Sequence, residues 1–333
     1  MSRQKLELEV QISFIKKTFS ESISQKLNLI SVSSPIAIIE GKGINDDLNG
    51  TERPVRFPIK SLNDQEAVVV HSLAKWKRIK LQEYELEEQE GILTDMQALR
   101  PDEDYSPIHS IFVDQWDWEI RIGDEDRTIE YLKKKVNEIY QSIVATQNAF
   151  IRNYAQNTSR LPETIHFIHS QELLDLYPTL TPKQREDAIA KKYGAVFIIG
   201  IGSLLTNKEK HDGRSADYDD WSTTTPIGKG LNGDILVWNS VLEHSFELSS
   251  MGIRVNKESL LFQLEQRNEL HKKDLTYHQM VLNDQIPLSI GGGIGQSRLC
   301  MFLLGKKHIG EVQVGIWNEN TKENLKQLNI HLL

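Results

Sequence analysis

The stretch that most constrains this chain is Ile290-Gly291-Gly292-Gly293-Ile294-Gly295-Gln296-Ser297-Arg298, followed by the apolar run Leu299 to Leu304. In an extended strand, residues 291, 293 and 295 share one face. Glycine at all three leaves that face bare, so a flat ligand or another segment can lie against it. Three residues after the last of these glycines, Arg298 stands on the helix that follows, within reach of a phosphate. Two Gly-rich phosphate motifs do not fit. A dinucleotide fingerprint needs a glycine where Gln296 stands, and a P-loop needs Gly-Lys-Ser/Thr after four intervening residues. The expectation is a glycine-floored strand feeding an arginine-bearing helix. A plain glycine-rich bend before a core helix is the alternative that the rest of the chain decides.

With 333 residues the chain can bury a large core as one or two domains. Its 47 Asp and Glu against 39 Lys and Arg argue against a dedicated nucleic-acid binder, which carries a basic footprint. A single cysteine, Cys300, rules out an internal disulfide and any CxxC metal knuckle. Met1 to Val10 is charged and lacks a signal-peptide core. Ala195 to Leu205, the longest apolar run, is too short and too glycine-broken to cross a bilayer. These features predict a soluble cytoplasmic protein.

Ile12, Ile15, Phe19, Ile23 and Leu27 predict one long amphipathic helix over 3–27, feeding an extended piece that ends at Pro35, a residue suited to a strand edge or bulge. Gly41 to Gly50 is a turn-rich loop carrying Asp46 and Asp47. Ala67 to Val70 reads as a buried strand, with Ser72 placed to cap a helix bearing Lys75, Lys77 and Arg78. A strand over 91–99 delivers Arg100 to an acidic loop. In the stretch Ser110 to Ile122, Gln115, Asp117 and Glu119 fall on one face and Asp114, Trp116 and Trp118 on the other. Helices over 127–154 and 181–192, short strands at 165–169 and 195–201, and a polar acidic loop at 211–226 follow. The pair Asn232-Gly233 reads as a turn opening two strands within Asp234 to Val255, ahead of helices near 257–268 and 276–283. No repeat or linker divides the chain. Strands joined through loops and mixed with helices predict an α+β fold: an antiparallel-rich central sheet flanked by helices.

Three features in chain order resemble the motifs of class II aminoacyl-tRNA synthetases: a long helix into the Pro35 strand, a strand ending in Leu99-Arg100 before acids, and the glycine strand with Arg298. The blocks HSLAKWKR (71–78), ALRPDED (98–104), VDQWDWE (113–119), DYDDWST (217–223), GLNGDILVWN (230–239), FELSSMGIR (246–254) and GGGIGQSRL (291–299) resemble the ammonia-dependent asparagine synthetases over nearly the whole chain. The loops around 105–107 and 152–163 look variable in length. The resemblance implies the class II synthetase catalytic core in one catalytic domain, 1–333, and ATP-dependent joining of L-aspartate and ammonia through a β-aspartyl adenylate. It also implies release of AMP and pyrophosphate, use of Mg2+, and a homodimer formed through the N-terminal helix and the Pro35 strand. An aspartyl- or asparaginyl-tRNA synthetase-like enzyme and a non-catalytic amino-acid or nucleotide sensor on the same fold are the alternatives.

The resemblance assigns roles residue by residue. Arg100 would grip the α-phosphate in the bidentate way that a guanidinium allows, and Arg298 the terminal phosphates. Taken alone, Arg100 reads as a surface arginine pairing with Asp102 or Asp104. Asp234 and Glu247 would hold magnesium, which keeps several waters and bridges to substrate phosphates. Gln115, Asp117 and Asp219 would read the amino-acid end of aspartate, with Ser72, Lys77, Ser250 and Arg254 as further donors. A carboxylate on the mobile, glycine-bounded loop could bind ammonium and take its proton, and the resemblance favours Asp46 over Asp47. His166 and His169, three apart on a strand, point to opposite faces and do not share an ion. Cys300, in an apolar helix, reads as inert core, which leaves free ammonia as the nitrogen source.

Overall fold

Ile12, Ile15, Phe19, Ile23 and Leu27 recur every three or four residues and all are buried, so one side of a single helix, α1 (Ser2–Leu27), faces the core. The computed structural model describes residues 2–48, 52–155 and 160–333. Gly50, the far end of the expected 41–50 loop, and residues 156–159 of the 152–163 connection lie outside them. After α1 come β1 (Leu29–Ser31), β2 (Ala37–Ile39), β3 (Arg56–Ile59), β4 (Gln65–Val69), α2 (Ala74–Glu83), β5 (Gly91–Leu99), β6 (Phe112–Arg121) and α3 (Ile129–Tyr154). They are followed by β7 (His166–His169), α4 (Ser170–Leu176), α5 (Pro182–Tyr193), β8 (Ala195–Ile199), and the two-residue strands β9 (Thr224–Thr225) and β10 (Gly228–Lys229). The last part holds β11 (Asn232–Asn239), β12 (His244–Ile253), α6 (Lys257–Gln266), α7 (Thr276–Leu282), β13 (Ser289–Gly295), α8 (Gln296–Leu303) and α9 (Glu319–Gln327).

The main sheet has eight strands in the order β1-β5-β6-β13-β12-β11-β8-β7. Its inner pairings are antiparallel, and only the edge pairs, β1 with β5 and β7 with β8, are parallel. One face sends Trp116, Trp118, Met251, Ile253, Ile290 and Ile294 into a core shared with α1, α3 and α8, where the Phe19 and Trp116 rings lie 4.5 Å apart. On the other face, register sets Asp117, Gly293, Ser250 and Asp234 side by side across four strands. Side chains paired across strands leave the sheet on the same side, so this row is the framework of a polar site with a glycine at its centre. The smaller sheet, β2-β4-β3, lies apart from the main one in the pairing pattern.

Local chemistry explains the helix ends. Thr128 caps α3 by accepting from the Tyr131 N–H, and Thr181 and Gln184 form a reciprocal capping box around Pro182 at the start of α5. Three expectations need correction. The extended piece after α1 is hydrogen-bonded as a strand only over Leu29–Ser31, although the Val32 N–H still donates to Leu93 at 2.9 Å; Pro35, without an N–H, lies beyond the ladder. Asn232-Gly233 is not a turn but the start of β11, because a side chain at Gly233 would collide with the Ile198 carbonyl and the Phe197 ring of β8. Ser72 is not the N-cap of α2, a place that Leu73 holds with no side-chain bond; from one residue earlier its Oγ accepts the Ala74 N–H at a long 3.4 Å, while its hydrogen goes to Asp46 at 3.0 Å.

Candidate active site

The bare face of β13 is the floor of a cavity of about 500 Å³ lined by Gly293, Gly295, Arg100, Gln115, Glu247 and Arg298, among others. The glycines admit neighbouring side chains. A Cβ on Gly291 would strike the Glu119 carboxylate and the Arg254 guanidinium, and one on Gly293 would lie 2.7 Å from Asp117 Oδ1. A side chain at either position would therefore displace the polar groups that lean over this face. Arg298 sits in the first turn of α8, which has no side-chain cap of its own. Asp114 replaces one: its Oδ1 accepts the Ser297 N–H at 3.0 Å, and its Oδ2 pairs with Lys16 of α1 at 3.0 Å.

Arg100 donates to the His71 carbonyl at 3.1 Å, while its buried Nε has no partner. Among the described residues no carboxylate lies within ion-pair distance of it, because Asp102 pairs with Arg53. Among the described residues Arg298 meets only the Glu247 carbonyl, at 3.3 Å, and its carboxylate, at 3.7 Å. The field of these guanidiniums is read by His109 on the same cavity wall. Burial and Arg298, with Arg100 adding and Glu247 opposing, push its imidazole down to about 4, so it is neutral at pH 7. Two guanidiniums with donors to spare in one cavity suit a polyanion.

Behind the cavity runs a buried chain of charges. Lys77 pairs with Asp117 at 3.2 Å and donates to the Gly292 carbonyl at 2.9 Å. Glu119 receives Arg254 in a two-pronged contact at 2.9 and 2.7 Å, and the Ser289 hydroxyl at 2.7 Å. Arg254 also pairs with Asp219, which lies 3.4 Å from Arg214, and Arg214 pairs with Asp234. Burial outweighs Asp117 and Glu119 and holds the Lys77 ammonium below its ordinary range; against burial, Arg254 and Lys77 keep Glu119 ionised. Three cations (Lys77, Arg254, Arg214) face four carboxylates (Asp117, Glu119, Asp219, Asp234), and Asp117 Oδ1 is buried without a partner. The surplus acceptor suits one incoming ammonium group. Glu119→Ala is expected to destabilise the fold by about 3–5 kcal/mol, since the buried Arg254 loses its two-pronged partner and keeps only Asp219 among the described carboxylates. The urea midpoint checks this, and a change under about 1 kcal/mol would mean that the pair carries no such weight.

Asp234 and Glu247 come from adjacent strands, where the register slips by one between Ile235 and Leu236. Burial pushes the Asp234 carboxyl up to about 7; Arg214 pulls the other way and Glu247 adds to the rise. Among the described residues no group of three or more His, Cys, Asp or Glu side chains forms a metal cage. Glu247 lines the cavity and Asp234, on the adjacent strand, lies behind it; two carboxylates so placed fit a magnesium ion that would take its other ligands from water and nucleotide.

Asp46 and Asp47, adjacent in sequence, part company. Asp46 is buried, its carboxylate accepting the Leu48 N–H at 2.9 Å and the Ser72 hydroxyl at 3.0 Å. Asp47 points outward to Lys272 at 2.8 Å. The loop is docked in this conformation: the Tyr277 N–H donates to the Lys42 carbonyl at 3.1 Å, and a Cβ on Gly43 would press on Leu275 and His278. His166 stacks on Tyr193, and His169 caps α4 through Nδ1 while Nε2 meets the Lys229 carbonyl at 3.0 Å, so these two histidines are structural. Burial pushes the Cys300 thiol up to about 12, which keeps it from acting as a nucleophile.

A family model described as aspartate-ammonia ligase matches residues 6–329. The chain belongs to the aspartate–ammonia ligase family. It is 55% identical over 326 residues to an aspartate–ammonia ligase of Parabacteroides distasonis, covering 98% of this chain and 94% of that one. The corresponding protein of Bacteroides thetaiotaomicron is 53% identical over 327 residues, with 98% and 94% covered. Among solved structures, an asparaginyl-tRNA synthetase from Pyrococcus horikoshii complexed with asparaginyl-adenylate shares the fold, with a TM-score of 0.67 at 14% identity over 92% of this chain and 68% of that one. An Entamoeba histolytica asparaginyl-tRNA synthetase gives a TM-score of 0.64 at 15% identity, over 93% and 67%. The class II synthetase core expected from the three motifs is therefore the fold of this ligase.

For this aspartate–ammonia ligase, Arg100, Arg298, Gln115 and Glu247 meet in one cavity. Lys77, Asp117, Asp219, Arg254 and Asp234 meet in the charge chain behind it, and Ser250 stands in register between Gly293 and Asp234. Asp46 and Ser72 pair with each other and do not line that cavity. Glu119, Arg214 and His109 were not among the residues singled out for the site. Alternation put Glu119 on the Asp117 face, and Arg214 is the lone arginine of the acidic loop, but nothing local marked His109.

Proposed function

We propose that this chain makes L-asparagine from L-aspartate and ammonia by way of a β-aspartyl adenylate, with the residues above in the following roles. The β-carboxylate of aspartate attacks the α-phosphorus of ATP and pyrophosphate leaves; ammonia then attacks the acyl carbon and AMP leaves. The observation that carries the nucleotide half is geometric: two sparsely bonded guanidiniums, Arg100 and Arg298, meet in one cavity over a glycine floor. Arg100 holds the α-phosphate, where negative charge grows as the bond forms, and Arg298 the terminal phosphates. Asp117, Asp219 and Gln115 receive the α-ammonium end of aspartate. Lys77 and Arg254 hold those carboxylates in place, and Ser250 lies beside them. Asp234 and Glu247 would hold a magnesium ion, whose bound form supplies positive charge to the phosphate oxygens. Asp46, fixed by Ser72, takes a proton from ammonium.

A homodimer through α1 and the Pro35 segment, in the cytoplasm, completes the proposal. Ile30 and Ile36 beside the sheet edge are exposed apolar side chains that such an interface would cover, and no described helix is long and apolar enough to cross a membrane. The decisive assay measures products. AMP and pyrophosphate are expected, in amounts equal to asparagine, only when aspartate, ammonia and Mg-ATP are present together. Formation of ADP and phosphate would overturn the adenylate route.

A further inference from the structure

A second cavity of about 500 Å³ lies on the other side of the Asp46 segment, between the Gly41–Leu48 loop, the small sheet and the short helical turn Leu270–Asp274. Asp46 and His71 line it. His71 is buried, and it belongs to the wall between the two cavities: its carbonyl accepts from Arg100 on the nucleotide side. Its ring Nδ1 lies 3.0 Å from the Asp46 carbonyl oxygen. A carbonyl only accepts, so Nδ1 carries the hydrogen, and in the neutral ring Nε2 is a lone-pair acceptor. That Nε2 is buried without a partner. Leaving a buried acceptor unmade is costly, which marks a place for a donor.

The carboxylates around this cavity are unequal. Glu40 pairs with Arg56, and Asp47 with Lys272. Asp46 accepts two neutral donors, and among the described residues no cation lies within ion-pair distance of it. An imidazole acceptor beside a carboxylate with no cation in contact suits a small cation with several N–H donors. We propose that the second cavity is the ammonium site and entry route of the enzyme, with His71 Nε2 and the Asp46 carboxylate as its ligands. Ammonium enters away from the nucleotide, is held at the wall, and gives one proton to Asp46. The neutral ammonia that remains passes to the adenylate, and Asp46 later returns the proton to solvent through the cavity. This assignment rests on the asparagine-forming reaction proposed above.

Kinetics with ammonium chloride test it, alongside aspartate-dependent exchange of pyrophosphate into ATP, which reads adenylation without ammonia. His71→Ala is expected to raise KM for ammonium about tenfold or more, the loss of one charge-assisted hydrogen bond, with KM for ATP and aspartate in the exchange assay within about twofold. An unchanged KM for ammonium overturns the proposal. Where His71→Ala loses the exchange as well, Lys42→Glu decides. Lys42 is an exposed residue of the cavity rim, and reversing its charge is expected to lower KM for ammonium at low ionic strength, an effect that salt removes, without lowering KM for ATP. No fall in that KM overturns the ammonium route. Absence of exchange in the unaltered enzyme overturns the adenylate reading, and the ammonium site with it.

Discussion

Arg100→Ala is expected to lower kcat for asparagine synthesis by about 10²–10³-fold, the range seen when one preorganised donor to a developing charge is removed. The size follows from how little else holds this side chain. Among the described residues its one hydrogen bond is to the His71 carbonyl, its Nε is buried and unpartnered, and Asp102, the nearest acid in sequence, is taken by Arg53. Donors kept idle beside a cavity are available to a phosphate oxygen. Arg100→Lys is expected to recover little of the loss, because a point charge does not reproduce a two-pronged contact. Rates of AMP formation at saturating substrates, with circular dichroism to confirm the fold, check both variants. Turnover of Arg100→Ala within about threefold of normal would remove Arg100 from the phosphate site.

Asp234→Asn is expected to cost about 10²-fold in kcat and yet to make the ligand-free protein more stable at neutral and alkaline pH. An unfolded aspartate ionises at about 3.9, whereas in the fold burial holds the Asp234 proton to about 7. Between those values the folded state binds the extra proton. Stability from this group is therefore complete below about pH 4, falls as pH rises to about 7, and is flat beyond. Three pH units at about 1.4 kcal/mol each put the full swing on the order of 4 kcal/mol. Asparagine does not titrate, and Arg214 keeps Asp219 as a partner. The variant's advantage in unfolding free energy should thus be largest near pH 8 and shrink as pH falls toward about 4. A difference that does not change with pH would refute the raised carboxyl, and normal turnover would refute its place in the site.

What could be read ahead of the structure divides by the range of the interaction responsible. The stripe of Ile12, Ile15, Phe19, Ile23 and Leu27 requires a helix because its period is a property of consecutive residues, and α1 follows it. The alternation of Gln115, Asp117 and Glu119 against Trp116 and Trp118 likewise separates the two faces of β6, and the structure keeps them apart. Asn232-Gly233 misled for the same reason. Its dipeptide chemistry favours a turn, but close approach of β8 needs a residue without a side chain, and that contact is not local. Ser72 stands one residue before the cap, so its Oγ meets the Ala74 N–H only at 3.4 Å, and its hydrogen goes to a carboxylate from another loop.

The amino-acid sequence by itself determined the order of elements, the bare face of the strand at 291–295, the family, and which arginines and carboxylates were available for chemistry. Only the tertiary structure decided how those charges are shared. Arg254 and Glu119 are 135 residues apart, and Arg100 and Asp102 are two apart, yet it is the distant pair that bonds. Sheet register chooses partners across the chain, and burial then decides what each partner can do. Removed from water, Arg254 is shared between Glu119 and Asp219, while Arg100, Asp117 Oδ1 and His71 Nε2 are left with capacity to bind. The glycine strand makes this possible because, having no side chains on that face at 291, 293 and 295, it lets its neighbours' charges meet above it.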